Sequence, residues 1–345
     1  MSMLKRGSHA RWMALCMALA IVFAACGPSG TAAPTNSGPV SLGQLKVGLG
    51  TAPPDLTSHF LYYSLDQGFY KKRGLDVEID PFNGDQTALR ALATGAVDLE
   101  WTGCAAALQA IEVGAPLRII SAFNPQIDYL LVAQNGITSP KDLVGKNLGV
   151  SQPGAVSWSV PKLMIQGDGG DFGKVNVVSI GGTSARVQAL AAKKIDGAVL
   201  NNYAWLQATK FDFLHVVADG VKALPDFLYA CEVTTEKVLA SRKPALQAWV
   251  TGTMEGVRWF YDHTDEAAAI TKKVLPDIDL AIVTPSLKAF AAKKFWNLSG
   301  VLSEKAWAFT TKAAQDAGDL KGPLDYSKIV VTDLALNAQK ELGIK

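Results

Sequence analysis

Cysteine is scarce, with four in 345 residues, and so few cannot staple a chain of this length into a disulfide scaffold. Neither sign of charge is in surplus: 33 Lys+Arg stand against 31 Asp+Glu, a formal net charge of +2. A nucleic-acid surface would need a positive excess, so no nucleic-acid partner is expected. A disordered chain would need more net charge and fewer than the 49% hydrophobic residues present. No GxSxG nucleophile elbow occurs, which removes one common hydrolase triad. The four histidines, His9, His59, His215 and His263, are scattered, so no zinc cluster is expected. The glycines of Gly167–Gly170 lack the strand-to-helix setting of a nucleotide loop and read as a helix stop. No metal or cofactor is expected. What the chain does have is size, enough for roughly two domains with a core each.

Long apolar runs are also missing, with one informative exception. Lys5, Arg6 and Arg11 precede fourteen uncharged residues, Trp12–Ala25, which is short of the roughly 18–20 that cross a bilayer as a helix. The stretch fits the apolar region of an export signal, residues 1–25. Phe23-Ala24-Ala25-Cys26 resembles a bacterial lipoprotein box with Phe23 where Leu is usual, and an ordinary cleaved signal is the alternative. Twelve of the seventeen residues from Gly27 to Gly43 are Gly, Pro, Ser or Thr, a composition that stays solvated. Residues 26–43 therefore read as a tether from a lipidated Cys26. Without residues 1–25 the chain carries 30 Lys+Arg and 31 Asp+Glu, a formal charge of −1.

From Leu45 onward, short apolar runs alternate with helical patterns, the signature of βαβ units. Asn83–Trp101 echoes Gly181–Val199 at an offset of 98 residues, matching Gly84 to Gly182, Leu92 to Leu190 and Asp98 to Asp196. Two lobes of similar architecture follow from that echo. Beyond Tyr229 the pattern turns helical, and Leu246, Trp249, Val250, Val257 and Phe260 share one helical face; these aromatics read as core.

The segments FYKKRGLDVE, LATGAVDL, KDLVGKNLGV and QALAAKKIDGAV resemble solute-binding proteins of nitrate/sulfonate/taurine-type ABC transporters. That group also includes binders of pyrimidine precursors in the thiamine pathway. The resemblance spans nearly all of the mature chain. It implies the type II periplasmic binding protein fold: α/β, two lobes, each a mostly parallel sheet flanked by helices, joined by two hinge strands. Lobe 1 would comprise residues 44–128 plus 229–345, and lobe 2 residues 129–228. It further implies a small ligand clamped between the lobes, a membrane permease with its cytoplasmic ATPase as partner, and a monomer held to the membrane by lipid on Cys26.

Ligands of open parallel sheets lie beyond the carboxyl ends of strands, where loops feed helix N-termini. Five strand ends supply candidates. Thr51 follows the first strand; Asp55 beside it reads as a cap, with a ligand amine as the alternative. Trp101, Thr102 and Gly103 offer a stacking face, a donor and a close backbone approach. Ser151–Gly154 leads into a helix carrying Ser157 and Trp158, and Gln152, Gly154, Ser157 and Trp158 are taken as an anion cradle, with N-capping the alternative. Gly182 marks the fourth strand end, and Arg186 just inside the following helix could pair with a carboxylate or sulfonate, although such an arginine is more often a solvated face residue. Asn201, Asn202 and Tyr203 suit a polar ligand, and Phe123 and Tyr229 near the hinge crossings complete an aromatic lining. Cys104 and Cys231 read as buried free thiols, a disulfide being the alternative in an oxidising compartment. The expected activity is capture of a small organic anion without catalysis; a pyrimidine or aromatic carboxylate is the alternative ligand, and a lyase or synthase on the same fold the alternative class.

Overall fold

Ten strands carry the architecture of the computed structural model, which describes residues 40–344. The export signal, Cys26 and nearly all of the tether lie outside the described residues. The strands are β1 (Gly43–Leu49), β2 (Leu75–Pro81), β3 (Leu99–Gly103), β4 (Leu117–Ser121), β5 (Tyr129–Gln134), β6 (Asn147–Val150), β7 (Asn176–Ser179), β8 (Gly197–Asn201), β9 (Leu214–Asp219) and β10 (Ala230–Thr235). They form two five-stranded sheets, ordered β2-β1-β3-β10-β4 and β7-β6-β8-β5-β9. Strand β1 opens on Gly43, the last residue assigned to the tether.

The two sheets have one plan. β1 runs parallel to β2 and β3, as β6 does to β7 and β8. The echo at 98 residues has a spatial counterpart, because Leu99–Gly103 and Gly197–Asn201 hold the same place in their sheets. Each sheet is mostly parallel, as expected, with a single reversed strand that makes it mixed. β10 is antiparallel to β3 and β4, and β5 is antiparallel to β8 and β9. The cause is the route of the chain. β4 and β9 end on the side facing the other lobe, so the strand entering each sheet after a crossing must run back the opposite way.

Helices cover both faces of each sheet. In the first lobe, α1 (Phe60–Asp66) and the helix Lys243–Asp262 pack on one face, while α2 (Asp85–Thr94) and α3 (Cys104–Glu112) pack on the other. Leu246, Trp249, Val250, Val257 and Phe260 are fully buried, and Trp249 stacks on Tyr70 at 4.9 Å. In the second lobe, α4 (Val156–Gly167) lies on one side of the sheet; α5 (Thr183–Ala191) and α6 (Asn202–Ala208) lie on the other. Gly95, in the left-handed region at φ 77°, closes α2 where a side chain would be strained. No helix among the described residues is long and apolar enough to cross a membrane.

The chain passes between the two sheets at residues 122–128 and 224–229. These crossings are tied to each other by Tyr229 N–H to Pro125 O and Ala230 N–H to Asn124 O, both 3.1 Å. Lys162 of α4 pairs with Asp319 of the first lobe, their side chains only 10% and 6% exposed.

Cys104 and Cys231 are joined as a disulfide, with Cα atoms 5.4 Å apart, and this corrects the reading of two free thiols. Adjacency follows from sheet register: Cys231 lies opposite Thr102 in the antiparallel β10–β3 pair, and Cys104 N–H bonds to Tyr229 O at 3.0 Å. The link closes a loop with a sequence separation of 127, containing the whole second lobe. Restricting the unfolded chain over a loop of that size is worth about 5 kcal/mol in the chain-entropy model. Calorimetry with and without dithiothreitol should show reduction lowering Tm by roughly 5–10 °C; an unchanged Tm, with both cysteines alkylated in denaturant before reduction, would remove the link.

Candidate functional site

A cleft of about 560 Å³ lies where the carboxyl ends of β1, β3, β6 and β8 face one another. Its lips are in contact. A Cβ on Gly103 of the first lobe would sit 2.1 Å from Val156 Cγ2 of the second, and one on Gly182 would lie 3.2 Å from Ala52 O. Only a residue without a side chain permits the approach at Gly103. The lobes are therefore in a closed arrangement.

Of the residues expected from sequence, Thr51, Trp101, Gly103, Ser157, Gly182, Arg186, Asn201, Tyr203 and Tyr229 line the cleft. Trp101 is 2% exposed and meets Tyr229 edge-on at 6.2 Å. Tyr229 in turn meets Tyr129 edge-on at 5.3 Å. Ser157 Oγ accepts the Ser151 N–H at 2.8 Å, so it orders the β6–α4 turn. Asn201 Oδ1 caps α6 by accepting the Ala204 N–H at 2.8 Å. Arg186 is 2% exposed and donates to Val199 O at 3.1 Å, Gly181 O at 2.8 Å and Thr183 Oγ1 at 2.9 Å. It is neither a solvated face residue nor an uncommitted anion hook.

Six expected residues fall outside the lining, each for a local reason. Thr102 is on the opposite face of β3 from Trp101 by strand alternation, and its hydroxyl donates to Asp85 Oδ1 at 3.3 Å. Phe123 points into the first lobe's core against Phe60, centroids 6.1 Å apart. Gln152 is used in lobe contact, where its amide would clash with any Cβ on Gly84. Gly154, at φ +80°, lies near Gln86 and Gln109 across the same seam. Trp158 meets Phe172 edge-on at 5.4 Å, with Lys162 Nζ over its ring at 4.4 Å. Asn202 is bonded through its amide and its N–H to Asp128.

Sequence reasoning missed Tyr129, Asp85 and the loop Val274–Ile278, all of which line the cleft. Tyr129 could have been found as the residue that leaves the first crossing, mirroring Tyr229 at the end of the second. Val274–Ile278 belongs to the helical return and carries no strand-end signal. Asp55 both caps and lines the cleft.

The base of the site is acidic and largely buried. Burial raises the Asp85 carboxyl above its usual range, while the Gly103 and Val156 N–H groups and the Thr102 hydroxyl pull it back and the Asp55 charge raises it again. Burial likewise raises Asp55, against the Thr57 hydrogen bonds and the Arg186 charge. Glu100, fully buried behind Trp101, is pushed well up by burial. His59 is lowered to about 4 by burial and is neutral. Glu232, opposite Trp101 in the sheet, is raised to about 7 by burial; the Ser121 hydroxyl and Phe123 N–H pull it partway down. Neither Glu232 oxygen completes a hydrogen bond among the described residues. No group of three or more His, Cys, Asp or Glu side chains among the described residues could hold a metal ion.

A family model described as NMT1/THI5 like matches residues 56–267. The formylaminopyrimidine-binding protein of Halalkalibacterium halodurans is 25% identical over 221 residues, 62% of this chain. That match covers 66% of the relative, just under two thirds of its length. The nitrate-binding protein of Synechocystis PCC 6803 superposes with a TM-score of 0.72 at 14% identity, covering 88% of this chain and 89% of that one. The alkanesulfonate-binding protein of Xanthomonas axonopodis pv. citri gives 0.69 at 17% identity, covering 84% and 98%. A desulfurization enzyme gives 0.61 at 15% identity, covering 86% and 99%. At these identities the structures show a shared fold, that of the periplasmic binding proteins.

Gly103→Ala should wedge a methyl group between the lobes and disfavour closure, an overpacking cost of about 1–3 kcal/mol. Small-angle scattering should then show a wider molecule than the unsubstituted protein; identical profiles would mean that the Gly103–Val156 contact does not limit closure. Glu232 has its folded value raised from 4.5 to about 7, so its contribution to stability is fully present below about pH 4.5 and is lost as pH rises through about 7. Denaturant titrations should find the protein more stable at about pH 5.5 than at about pH 8, and Glu232→Gln should reduce that difference. A pH dependence that Glu232→Gln leaves untouched would assign it to other groups.

Proposed function

The chain belongs to the NMT1/THI5-like family, and from that premise we propose that it is an extracytoplasmic solute-binding protein of an ABC import system, taking a small planar nitrogen heterocycle of the pyrimidine class. The observation that carries the reading is the cleft itself. It is a pocket of about 560 Å³ closed between two lobes on a double crossing, the arrangement by which hinge proteins clamp a ligand. The formylaminopyrimidine-binding relative supports the ligand class, as does the lining of Trp101, Tyr129, Tyr203 and Tyr229, whose rings suit a flat solute.

Within this proposal Thr51, Trp101, Gly103, Ser157, Gly182, Asn201, Tyr203 and Tyr229 border the ligand, and Tyr129, Asp55 and Asp85 join them. The protein acts as a monomer, anchored by lipid on Cys26, and hands its ligand to a permease without catalysis. A desulfurization enzyme shares the fold, so the fold by itself does not choose between binding and chemistry; the export signal favours binding.

A second reading, an organic anion of the nitrate, sulfonate or taurine type, rests on Arg186 in the cleft wall. It is weaker because three of the guanidinium's donors already serve Val199, Gly181 and Thr183, while the Asp55 and Asp85 carboxyls face the same space. An anion would enter beside two buried acids.

A thermal-shift series on the mature protein with pyrimidines, aminopyrimidines, aromatic carboxylates, alkyl sulfonates, taurine and nitrate separates the readings. Nitrogen heterocycles should raise Tm, by RT ln(1 + [L]/Kd) in free energy, and Trp101→Ala should weaken the best of them. Stabilisation by the anions alone would exchange the two readings, and no shift across the set would remove the binding-protein proposal.

A further inference from the structure

Three polar atoms bordering the cleft are buried and have no hydrogen-bond partner among the described residues: Thr51 Oγ1, Asp55 Oδ2 and Trp101 Nε1. A buried polar group without a partner costs free energy unless something supplies one. The three differ in what they require. The indole N–H can only donate, the hydroxyl can do either, and a carboxylate oxygen can only accept.

Asp55 is held more firmly than its loop position suggests. Its Oδ1 accepts the Thr57 N–H at 3.1 Å and also the Thr57 hydroxyl. Its main-chain carbonyl accepts from Ser58 Oγ at 2.9 Å and is 2.8 Å from His59 Nδ1. His59 is neutral, so that ring nitrogen is the protonated one in a donating tautomer. Thr57 O then accepts Asn124 Nδ2 at 3.2 Å and Trp296 Nε1 at 2.9 Å. Asp55 Oδ1 and the main-chain carbonyls of Asp55 and Thr57 are committed to the frame, which leaves Oδ2 and the buried His59 Nε2 as acceptors of this turn without a partner among the described residues. The other cleft acid is differently placed: Asp85 Oδ1 takes the Gly103 N–H at 3.1 Å and the Thr102 hydroxyl, which makes it a brace between β3 and α2.

We propose that Asp55 is a specificity-determining residue of the cleft, whose Oδ2 accepts an N–H from the ligand and so selects an amino-bearing or ring-protonated heterocycle over its oxo counterpart. The proposal rests on the heterocycle reading given above and adds the edge by which the heterocycle is told apart. An amino group facing Oδ2 restores the hydrogen bond lost with water. An oxo group in the same place sets two acceptor oxygens against each other at a buried position, where such a mismatch is strongly discriminating. Trp101 Nε1–H supplies the complementary donor, so the favoured ligand presents at least one donor and one acceptor to the first lobe. Burial raises the Asp55 carboxyl and the Arg186 charge opposes the rise; a bound N–H would oppose it further.

Titration calorimetry with two matched pairs, cytosine against uracil and adenine against hypoxanthine, tests this. The unsubstituted protein should favour the amino member of a pair it binds by about 10- to 100-fold, the span of one hydrogen bond to a charged group. Asp55→Asn keeps an oxygen for the Thr57 N–H and turns an amide NH2 toward the cleft, so it should abolish or reverse the preference. Thr57→Val leaves the carboxylate in place but removes one of its two anchors, and should lower the ratio if Asp55→Asn melts too early to measure. Equal affinity for both members of a bound pair, or a ratio unchanged in both variants, overturns the role of Asp55 while leaving the heterocycle reading intact. Failure of all four bases to bind the unsubstituted protein overturns that reading and the inference with it.

Discussion

Two backbone hydrogen bonds, Tyr229 N–H to Pro125 O and Ala230 N–H to Asn124 O, fasten together the two places where the chain passes between lobes. Much of the architecture follows from that fastening. Two crossings side by side let the lobes swing about one line while resisting shear and twist. They also fix strand direction. A chain that leaves a sheet at the cleft must enter the next sheet from the cleft, so β5 and β10 run antiparallel to their neighbours. Tyr129, the first residue of β5, and Tyr229, the last before β10, thereby become floor residues and meet edge-on. The Cys104–Cys231 link and the Cys104 N–H to Tyr229 O bond secure the same corner.

The two walls of the cleft are chemically unlike. The first lobe brings carboxylates, Asp55 and Asp85, with Glu100 and Glu232 buried behind Trp101. The second brings helix starts, where Ser157 and Asn201 are engaged in ordering turns and Arg186 is held by two carbonyls and the Thr183 hydroxyl. Buried acids raise one another when their charges are close, and Asp55 does this to Asp85. A wall of that kind is the basis on which the proposed reading prefers ligand donors to ligand anions.

Much of this was legible in the chain. Alternation of apolar strands with amphipathic helices gives the α/β class, and the Gly84–Gly182 and Asp98–Asp196 matches give two equivalent lobes, because strand, turn and helix repeat with fixed spacing. The rule that ligands lie at strand ends finds Trp101, Gly103 and Arg186. It does not separate Trp101 from Thr102, although strand alternation assigns them to opposite faces. Phe123 and Trp158 were drawn to the cleft by being aromatic near a strand end; packing partners distant in sequence, Phe60 and Phe172, took them elsewhere. The reversed direction of β5 and β10 depends on the crossings, which no local pattern encodes. Val274–Ile278 reaches the cleft from a helical region through tertiary packing alone.

Helix α4 ties these levels together. Its first turn carries Val156 and Ser157 into the cleft, and a turn and a half later Lys162 reaches Asp319 in the other lobe. The Asp319 loop is itself fixed, since Glu112 Oε1 accepts the Lys321 and Gly322 N–H groups. An ion pair this buried adds little net stability over an apolar pair of equal size, because both charges lose water. Its strength lies in selectivity: a shift of α4 that parts the charges leaves each buried and alone, which is far costlier than the pair was favourable. The aromatic rings of Trp158 and Phe172 on the Lys162 ammonium narrow the choice further. The contact therefore disfavours every lobe arrangement that separates Lys162 from Asp319, and the one it retains brings Val156 against Gly103 and closes the cleft.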